Sequence, residues 1–259
     1  MKKSLTPISI AFFLLLTSCV FAAPPREFYE LRTYRFKTNE QEQRTENYLQ
    51  KALLPALHRA NIKHVGVFKP VETDSTFGKK LIVLIPFHSL DEFVKLDGVL
   101  DKDKQYYADG KEYIDAPYNN PPYARIEKTI LKAFSGMPNL AVPDLKGPVT
   151  ERVYELRSYE GHTEKIYRNK VQMFNAGDEV GLFKRLGFNA VFYGEVLSGN
   201  TMPNLMYMTT FENQASRDEH WKAFGEDPQW KKLVSMPEYQ HNVSKNVTLF
   251  FRPTKYSDI

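Results

Sequence analysis

The 259-residue sequence predicts an α+β fold in which two tandem ferredoxin-like units, each with the element order βαββαβ, pack sheet to sheet. Three pairs of similar segments indicate the duplication, and the members of each pair lie about 125 residues apart. The pairs are FYELRTYR at 28–35 with VYELRSYE at 153–160, LHRANIKHVGVF at 57–68 with FKRLGFNAVFYG at 183–194, and KLIVLIPF at 80–87 with NLMYMTTF at 204–211.

The first unit begins with an alternating, aromatic-rich stretch at 28–36, which predicts a strand. Thr38 is expected to cap the following helix, and Gln41, three residues later, completes a capping box. Pro55 is expected to kink or distort that helix locally. The remaining predicted elements are strands at 64–72 and 80–87, a short helix that begins near Ser89, and a closing strand at 125–134.

The second unit repeats this order after a stretch rich in Gly and Pro, which predicts a linker. Its predicted elements are strands at 152–160, 188–197, 204–211 and 244–252, a helix from Thr163 to about Arg185, and a helix at 214–225. The predicted division of the chain is a signal peptide at 1–22, a first unit at 26–134, a linker at 135–149 and a second unit at 150–255.

The N-terminus has the pattern of a signal sequence, with Lys2 and Lys3 before a short apolar stretch. Two endings compete. Leu16-Thr-Ser-Cys19 is typical of a lipobox, in which Cys19 is lipidated and becomes the new N-terminus, whereas Val20-Phe-Ala22 is typical of ordinary signal-peptidase cleavage. Either ending predicts export to the periplasm or cell envelope, with membrane attachment only through a lipid on Cys19. The sequence contains no other cysteine, so the exported chain has no disulfide of its own.

Composition excludes some classes of function. Hydrophobic residues make up 42% and charged residues 25% of the chain, and its net charge is +4. Basic residues are interspersed with acids and form no long run, so we expect no nucleic-acid partner. The histidines lack the i, i+4 spacing of a helical metal site, and we therefore expect no metal and no cofactor.

Each repeated strand carries one apolar and one polar row, because successive side chains point to opposite faces. The apolar rows are Tyr29, Leu31 and Thr33 in the first unit and Tyr154, Leu156 and Ser158 in the second. The polar rows are Glu30, Arg32 and Tyr34 in the first unit and Glu155, Arg157 and Tyr159 in the second. We expect the helices to cover the more apolar row, which leaves the polar row facing the other sheet.

Two interpretations of the polar rows remain open. In the structural interpretation, each glutamate pairs with a nearby arginine, since a buried charge without a partner costs several kcal/mol. In the functional interpretation, the rows line a polar barrel lumen that binds a small organic ligand, with the arginines binding an anion, the tyrosines donating hydrogen bonds and the glutamates orienting the arginines.

The segments YELR(T/S)Y, FKRLGFNAVFYGE and SRDEHWKAFGEDPQW resemble the NIPSNAP family. The resemblance spans nearly all of the chain after the signal sequence and is strongest in the second unit. In the first unit the Trp-bearing helix has no counterpart, and DKDKQYYADGKEYIDAPYNNPPYARIE stands there instead. The resemblance implies a dimeric α/β barrel of ferredoxin-like units in an exported bacterial member, but no settled activity.

Three hypotheses for function follow. The first is a protein that binds a small organic ligand without catalysis. The second is a cofactor-independent monooxygenase or isomerase that uses the same polar groups. The third is a non-catalytic envelope scaffold or interaction protein. The sequence leaves open whether the chain is an enzyme and whether the two-unit chain forms a homodimer.

Overall fold

A computed structural model describes residues 24–259, and the predicted signal sequence with Cys19 lies outside the described residues. Both units show the order βαββαβ, with two consecutive helices at each helical position. The first unit contains β1 (Phe28–Arg35), α1 (Asn39–Tyr48), α2 (Leu54–Arg59), β2 (Gly66–Pro70), β3 (Lys80–Phe87), α3 (Leu90–Leu100), α4 (Lys104–Ile114) and β4 (Arg125–Ala133). The second contains β5 (Val153–Glu160), α5 (Glu164–Asn175), α6 (Glu179–Arg185), β6 (Phe192–Ser198), β7 (Asn204–Phe211), α7 (Gln214–Glu226), α8 (Pro228–Ser235) and β8 (Lys245–Pro253).

The strands form one closed antiparallel barrel in the order β1-β3-β2-β8-β5-β7-β6-β4. Each unit contributes four neighbouring strands, and the two sets join edge to edge. At one junction Phe68 of β2 lies opposite Pro253 of β8, and at the other Leu131 of β4 lies opposite Val196 of β6. The predicted α+β barrel of tandem ferredoxin-like units is therefore confirmed, and a single chain completes the barrel.

Local signals in the first unit act as expected. Thr38 caps α1 by accepting a hydrogen bond from the Gln41 amide at 3.2 Å, and the Gln41 side chain accepts one from the Lys37 amide at 2.8 Å. A π-helical turn at Leu49–Leu53 separates α1 from α2, just before Pro55. Proline cannot donate to the preceding turn and collides with its carbonyl, so the predicted distortion near Pro55 is confirmed.

Two helical predictions need correction. The helix predicted from Thr163 to about Arg185 is interrupted at Gly177 and Asp178, and Asp178 has a left-handed φ of 61°. In the first unit α3 takes the place of the Trp-bearing α7, and the segment predicted to stand in place of that helix forms α4, which is capped by Asp103 and corresponds to α8. The two units therefore have helices at equivalent positions, but the helices of the first unit contain no tryptophan.

Three hydrophobic cores stabilise the fold. One lies between the first sheet and its helices, and one between the second sheet and its helices. The third fills the barrel lumen with residues from both units, including Tyr29, Leu31, Phe68, Leu131, Tyr154, Leu156, Phe192 and Phe251. An eight-stranded barrel has an interior that side chains just fill, as observed here. Leu145 from the linker and Ile259 pack against the same core at one end of the barrel.

The predicted assignment of strand faces is wrong. The apolar rows of β1 and β5 point into the lumen, whereas the polar rows point outward beneath the helices. Closure explains the reversal, because the narrow lumen must be filled by apolar side chains from all strands. In the second unit α7 supplies partners that the buried Glu155 carboxylate requires, namely Arg217 and Trp221.

Candidate functional site

The polar row of the second unit forms a closed network under α7. The fully buried Glu155 carboxylate accepts hydrogen bonds from Arg157 Nε at 2.5 Å, Arg217 Nε at 2.8 Å, Arg217 Nη2 at 3.1 Å and Trp221 Nε1 at 2.8 Å. The Arg157 guanidinium also lies 3.7 Å from the centroid of the Trp221 ring. Arg157 further donates to the Tyr159 hydroxyl at 3.2 Å. The four bonds occupy the carboxylate, so this network serves packing between sheet and helix.

The polar row of the first unit is similar but has different partners. The buried Glu30 carboxylate accepts hydrogen bonds from Arg32 Nε at 2.6 Å and Nη2 at 3.1 Å, and Lys128 Nζ lies 3.5 Å away. The Tyr34 hydroxyl is buried and has no hydrogen-bond partner among residues 24–259. Its ring packs edge-on against Tyr123. The structure thus joins glutamate to arginine within each unit, but it places the two rows on opposite outer faces of the barrel.

A cavity lies instead inside one end of the barrel, which we call the barrel mouth. It is bordered by the last residues of β1 and β5 and the first residues of β3, β7 and β8, and its volume is ≈ 310 Å³. Its wall is apolar at Leu31, Ile82, Leu156, Val196, Met206, Val247 and Leu249. Hydroxyl and amide groups stand at Thr33, Thr129, Ser158, Thr201 and Asn204. A concave apolar wall with a few polar groups is typical of small-molecule sites.

Four of the five charged side chains that line the barrel mouth are paired. Arg35 binds Glu127 through two hydrogen bonds, one of them from Nη2 at 3.2 Å. The hydrogen bond from Arg35 holds the pKa of the Glu127 carboxyl below its usual value, so Glu127 is ionised. Lys245 Nζ lies 3.4 Å from Glu160 Oε1. The opposite charges cancel within each pair, so these four side chains add no net charge to the barrel mouth.

The fifth charge belongs to Lys80, the first residue of β3. Its side chain is half-buried and makes no ion pair or hydrogen bond within the described part of the chain. Burial, and then the nearby charge of Arg35, lower the pKa of the Lys80 ammonium. Asp74 and Glu127 act in the opposite direction. Among residues 24–259, the barrel mouth therefore carries one positive charge that lacks a partner.

The β6–β7 loop forms one side of the barrel mouth. The Asn200 amide donates to Glu127 Oε2 at 3.0 Å, which ties this loop to β4. The Asn204 side chain accepts a hydrogen bond from the Ser158 hydroxyl at 3.0 Å and donates to Thr201 Oγ1 at 3.1 Å. These bonds hold the polar groups of the cavity in fixed positions.

The six residues singled out from the sequence do not line this cavity. The residues that do line it continue the apolar rows, since Arg35 and Glu160 follow Thr33 and Ser158 at the strand spacing of two. The sequence did contain one signal for this cavity, because each apolar row ends in a charged residue, Arg35 in β1 and Glu160 in β5. We find no group of three or more metal-ligating side chains within residues 24–259, and no helix there meets the length and hydropathy of a membrane span.

The sequence model of the NIPSNAP family matches residues 154–258 of this chain. The match covers nearly all of the second unit, from β5 through the end of β8. No curated protein sequence matches the chain.

Several solved structures share the fold across both units. A candidate monooxygenase from Lactobacillus acidophilus NCFM has 8% identity and a TM-score of 0.59, covering 88% of this chain and 94% of that one. A candidate monooxygenase from Fusobacterium nucleatum has 6% identity and a TM-score of 0.54, with coverage of 90% and 94%. An anthrone oxidase-like protein has 11% identity and a TM-score of 0.52, with coverage of 90% and 93%. At such identities the likeness shows the fold alone.

Proposed function

We propose that this chain, which belongs to the NIPSNAP family through its second unit, binds a small organic molecule in the barrel mouth. One observation carries the proposal. The lumen is filled with side chains at one end, yet at the other it opens into a cavity of ≈ 310 Å³ with an apolar wall and a polar rim. That volume lies at the lower end of the range for ligand pockets, so the ligand is small.

Binding without a chemical step fits the residues of the barrel mouth. Within the part of the chain that the structure describes, the side chains that line it include no His, Cys, Tyr or Asp. Ser158 donates its hydroxyl to an amide oxygen rather than to a base, so it is not set up as a nucleophile. The monooxygenase names of the fold neighbours belong to those proteins.

Native mass spectrometry of the protein purified from its own host tests this proposal. We expect a retained small-molecule mass in the native protein and its loss in Met206→Trp, whose larger side chain narrows the cavity. Val234→Trp, on an exposed face of α8, is the matched control and should keep the ligand. Saturable binding of the neutral dye N-phenyl-1-naphthylamine to the unmodified chain should follow the same pattern. A ligand retained equally by Met206→Trp, or dye binding that Met206→Trp leaves unchanged, would overturn the proposal.

We also propose that the chain is exported, on the strength of its N-terminal sequence. Cell fractionation tests the route. If the lipobox is used, Cys19→Ser should move the protein from the membrane fraction to the soluble periplasmic fraction. Recovery of the unmodified chain in the cytoplasm would contradict export.

A further inference from the structure

We propose that the barrel mouth selects small amphipathic molecules with a single negative charge, and that the Lys80 ammonium binds their acidic group. This inference rests on the proposed function, because it names the class of ligand that the same cavity takes. It concerns residues outside the Glu-Arg-Tyr rows, which make their own ion pairs beneath the helices.

The balance of charge favours an anion. Arg35 with Glu127 and Lys245 with Glu160 form two neutral pairs, and Lys80 is left with an unpartnered charge. A half-buried ammonium has lost part of its hydration and has gained no hydrogen bond in exchange. A carboxylate or sulfonate at this position would restore charge-assisted hydrogen bonds, which are about twice as strong as neutral ones.

The same groups limit the ligand to one charge. Arg35 has its guanidinium engaged by the Glu127 carboxylate through two bonds, and the described residues that line the cavity include no second free cation. A dianion such as a phosphate monoester would bring its second charge close to Glu127 or Glu160, where like charges repel. A neutral molecule would leave the Lys80 ammonium without an ionic partner.

The wall of the cavity determines the character of the ligand apart from its acidic group. Leu31 and Ile82 lie on the neighbouring strands β1 and β3, and Leu156 and Met206 lie on the neighbouring strands β5 and β7, so each of these strand pairs gives the cavity an apolar wall below the ring of charges. Burial of apolar ligand surface there contributes roughly 25 cal/mol per Å². The hydroxyl and amide groups of the rim can hydrogen-bond one or two polar atoms of the ligand. The ligand is therefore expected to have an apolar body and one acidic end.

A pair of dyes that differ by one charge tests the inference. 8-Anilinonaphthalene-1-sulfonate carries a sulfonate, and N-phenyl-1-naphthylamine is the same ring system without it. Fluorescence titrations would compare both dyes on the unmodified chain, Lys80→Met, Lys80→Arg and Lys95→Met. Lys95 is an exposed lysine on α3 that pairs with Asp91, and it serves as the control for the loss of a positive charge.

We expect Lys80→Met to weaken binding of the sulfonate dye about tenfold and to leave the neutral dye unchanged. Lys80→Arg should restore most of the loss, and Lys95→Met should have no effect on either dye. Equal affinities of the two dyes for the unmodified chain, or equal loss of both in Lys80→Met, would overturn the inference while the proposed function stands. Failure of both dyes to bind the unmodified chain would overturn the proposed function itself.

Discussion

Arg217 on α7 occupies the position that Phe93 occupies on α3, four residues after the N-cap of each helix. The strands compensate for the missing helical cation of the first unit. Lys128 of β4 lies opposite Arg32, whereas Thr248 of β8 lies opposite the equivalent arginine of the second unit. Lys128 Nζ lies 5.9 Å from the centroid of the Phe93 ring. The buried glutamate of each unit thus has a second cation, supplied by a strand in one unit and by a helix in the other.

Removal of the helical cation should destabilise the protein. Arg217→Met deletes both Arg217 hydrogen bonds to the buried Glu155 carboxylate, which keeps only Arg157 and Trp221. We expect the free energy of unfolding to fall by about 2 kcal/mol in urea denaturation. Lys128→Met is the comparison, and since Lys128 is 42% exposed and 3.5 Å from Glu30, the loss should stay below about 1 kcal/mol. A larger loss in Lys128→Met would contradict this account.

Anion binding at the barrel mouth should depend on pH through Lys80. Burial lowers the pKa of the Lys80 ammonium in the free protein, and a bound anion favours the protonated form. Affinity for the sulfonate dye should therefore be constant at neutral pH and should fall as pH rises through that lowered pKa, before the ordinary lysine value of about 10.4.

The charged neighbours of Lys80 do not change in this range, since Arg35 stays protonated and Asp74 and Glu127 stay ionised. Fluorescence titrations from pH 7 to 10.5 would measure the dependence. Lys80→Arg keeps its charge and should bind the dye equally over the whole range. The same decline in both proteins would show that another group titrates.

Glu127→Gln should strengthen binding of the sulfonate dye, whereas the loss of Lys80 should weaken it. The substitution removes a negative charge from the barrel mouth and frees the guanidinium of Arg35. We expect the sulfonate dye to bind roughly threefold to tenfold tighter at low salt, and the gain should shrink as salt is added. Glu219→Gln on the exposed face of α7 is the control and should leave the affinity unchanged. Weaker binding in Glu127→Gln would contradict an electrostatic role for this site.

The filled end of the barrel should tolerate little added volume. A Cβ atom at Gly66 would lie 2.4 Å from Cε2 of the buried Phe68 ring and 3.1 Å from Ile259 Cδ1. Gly66→Ala should therefore lower the free energy of unfolding by about 1–3 kcal/mol. In Gly98→Ala no atom lies within 4 Å of the new methyl group, and the change should stabilise α3 by about 0.5–1 kcal/mol. Thermal unfolding of both variants would reveal the contrast, and stabilisation by Gly66→Ala would refute it.

Much of the fold follows from local sequence patterns. Alternation and aromatic content identified the first strand, and the cap predicted at Thr38 located the start of α1. The assignment of faces failed because it compared the two rows of a strand in isolation. In a closed barrel, the hydrophobic requirement of the lumen comes from all eight strands together, and no single strand shows it.

The candidate site was missed for a related reason. Lys80, Glu127 and Asn200 belong to separate segments that meet only after closure brings β3, β4 and the β6–β7 loop around one opening. The Glu-Arg-Tyr rows attracted attention because they are charged within strands. Some of their partners come from other elements, Arg217 from α7 and Lys128 from β4, and the pattern of one strand does not report how those elements pack.

Closure of the barrel within one chain has a consequence for symmetry. Arg35 and Glu160 are the last residues of β1 and β5, and Lys80 and Asn204 are the first residues of β3 and β7, so each pair stands at equivalent positions around one opening. In a barrel built from two identical chains, every rim residue would appear twice, and a single unpartnered lysine could not exist. Fusion of the units removes the two-fold constraint, so a ligand with two different ends has one preferred orientation, and each substitution at the rim acts only once.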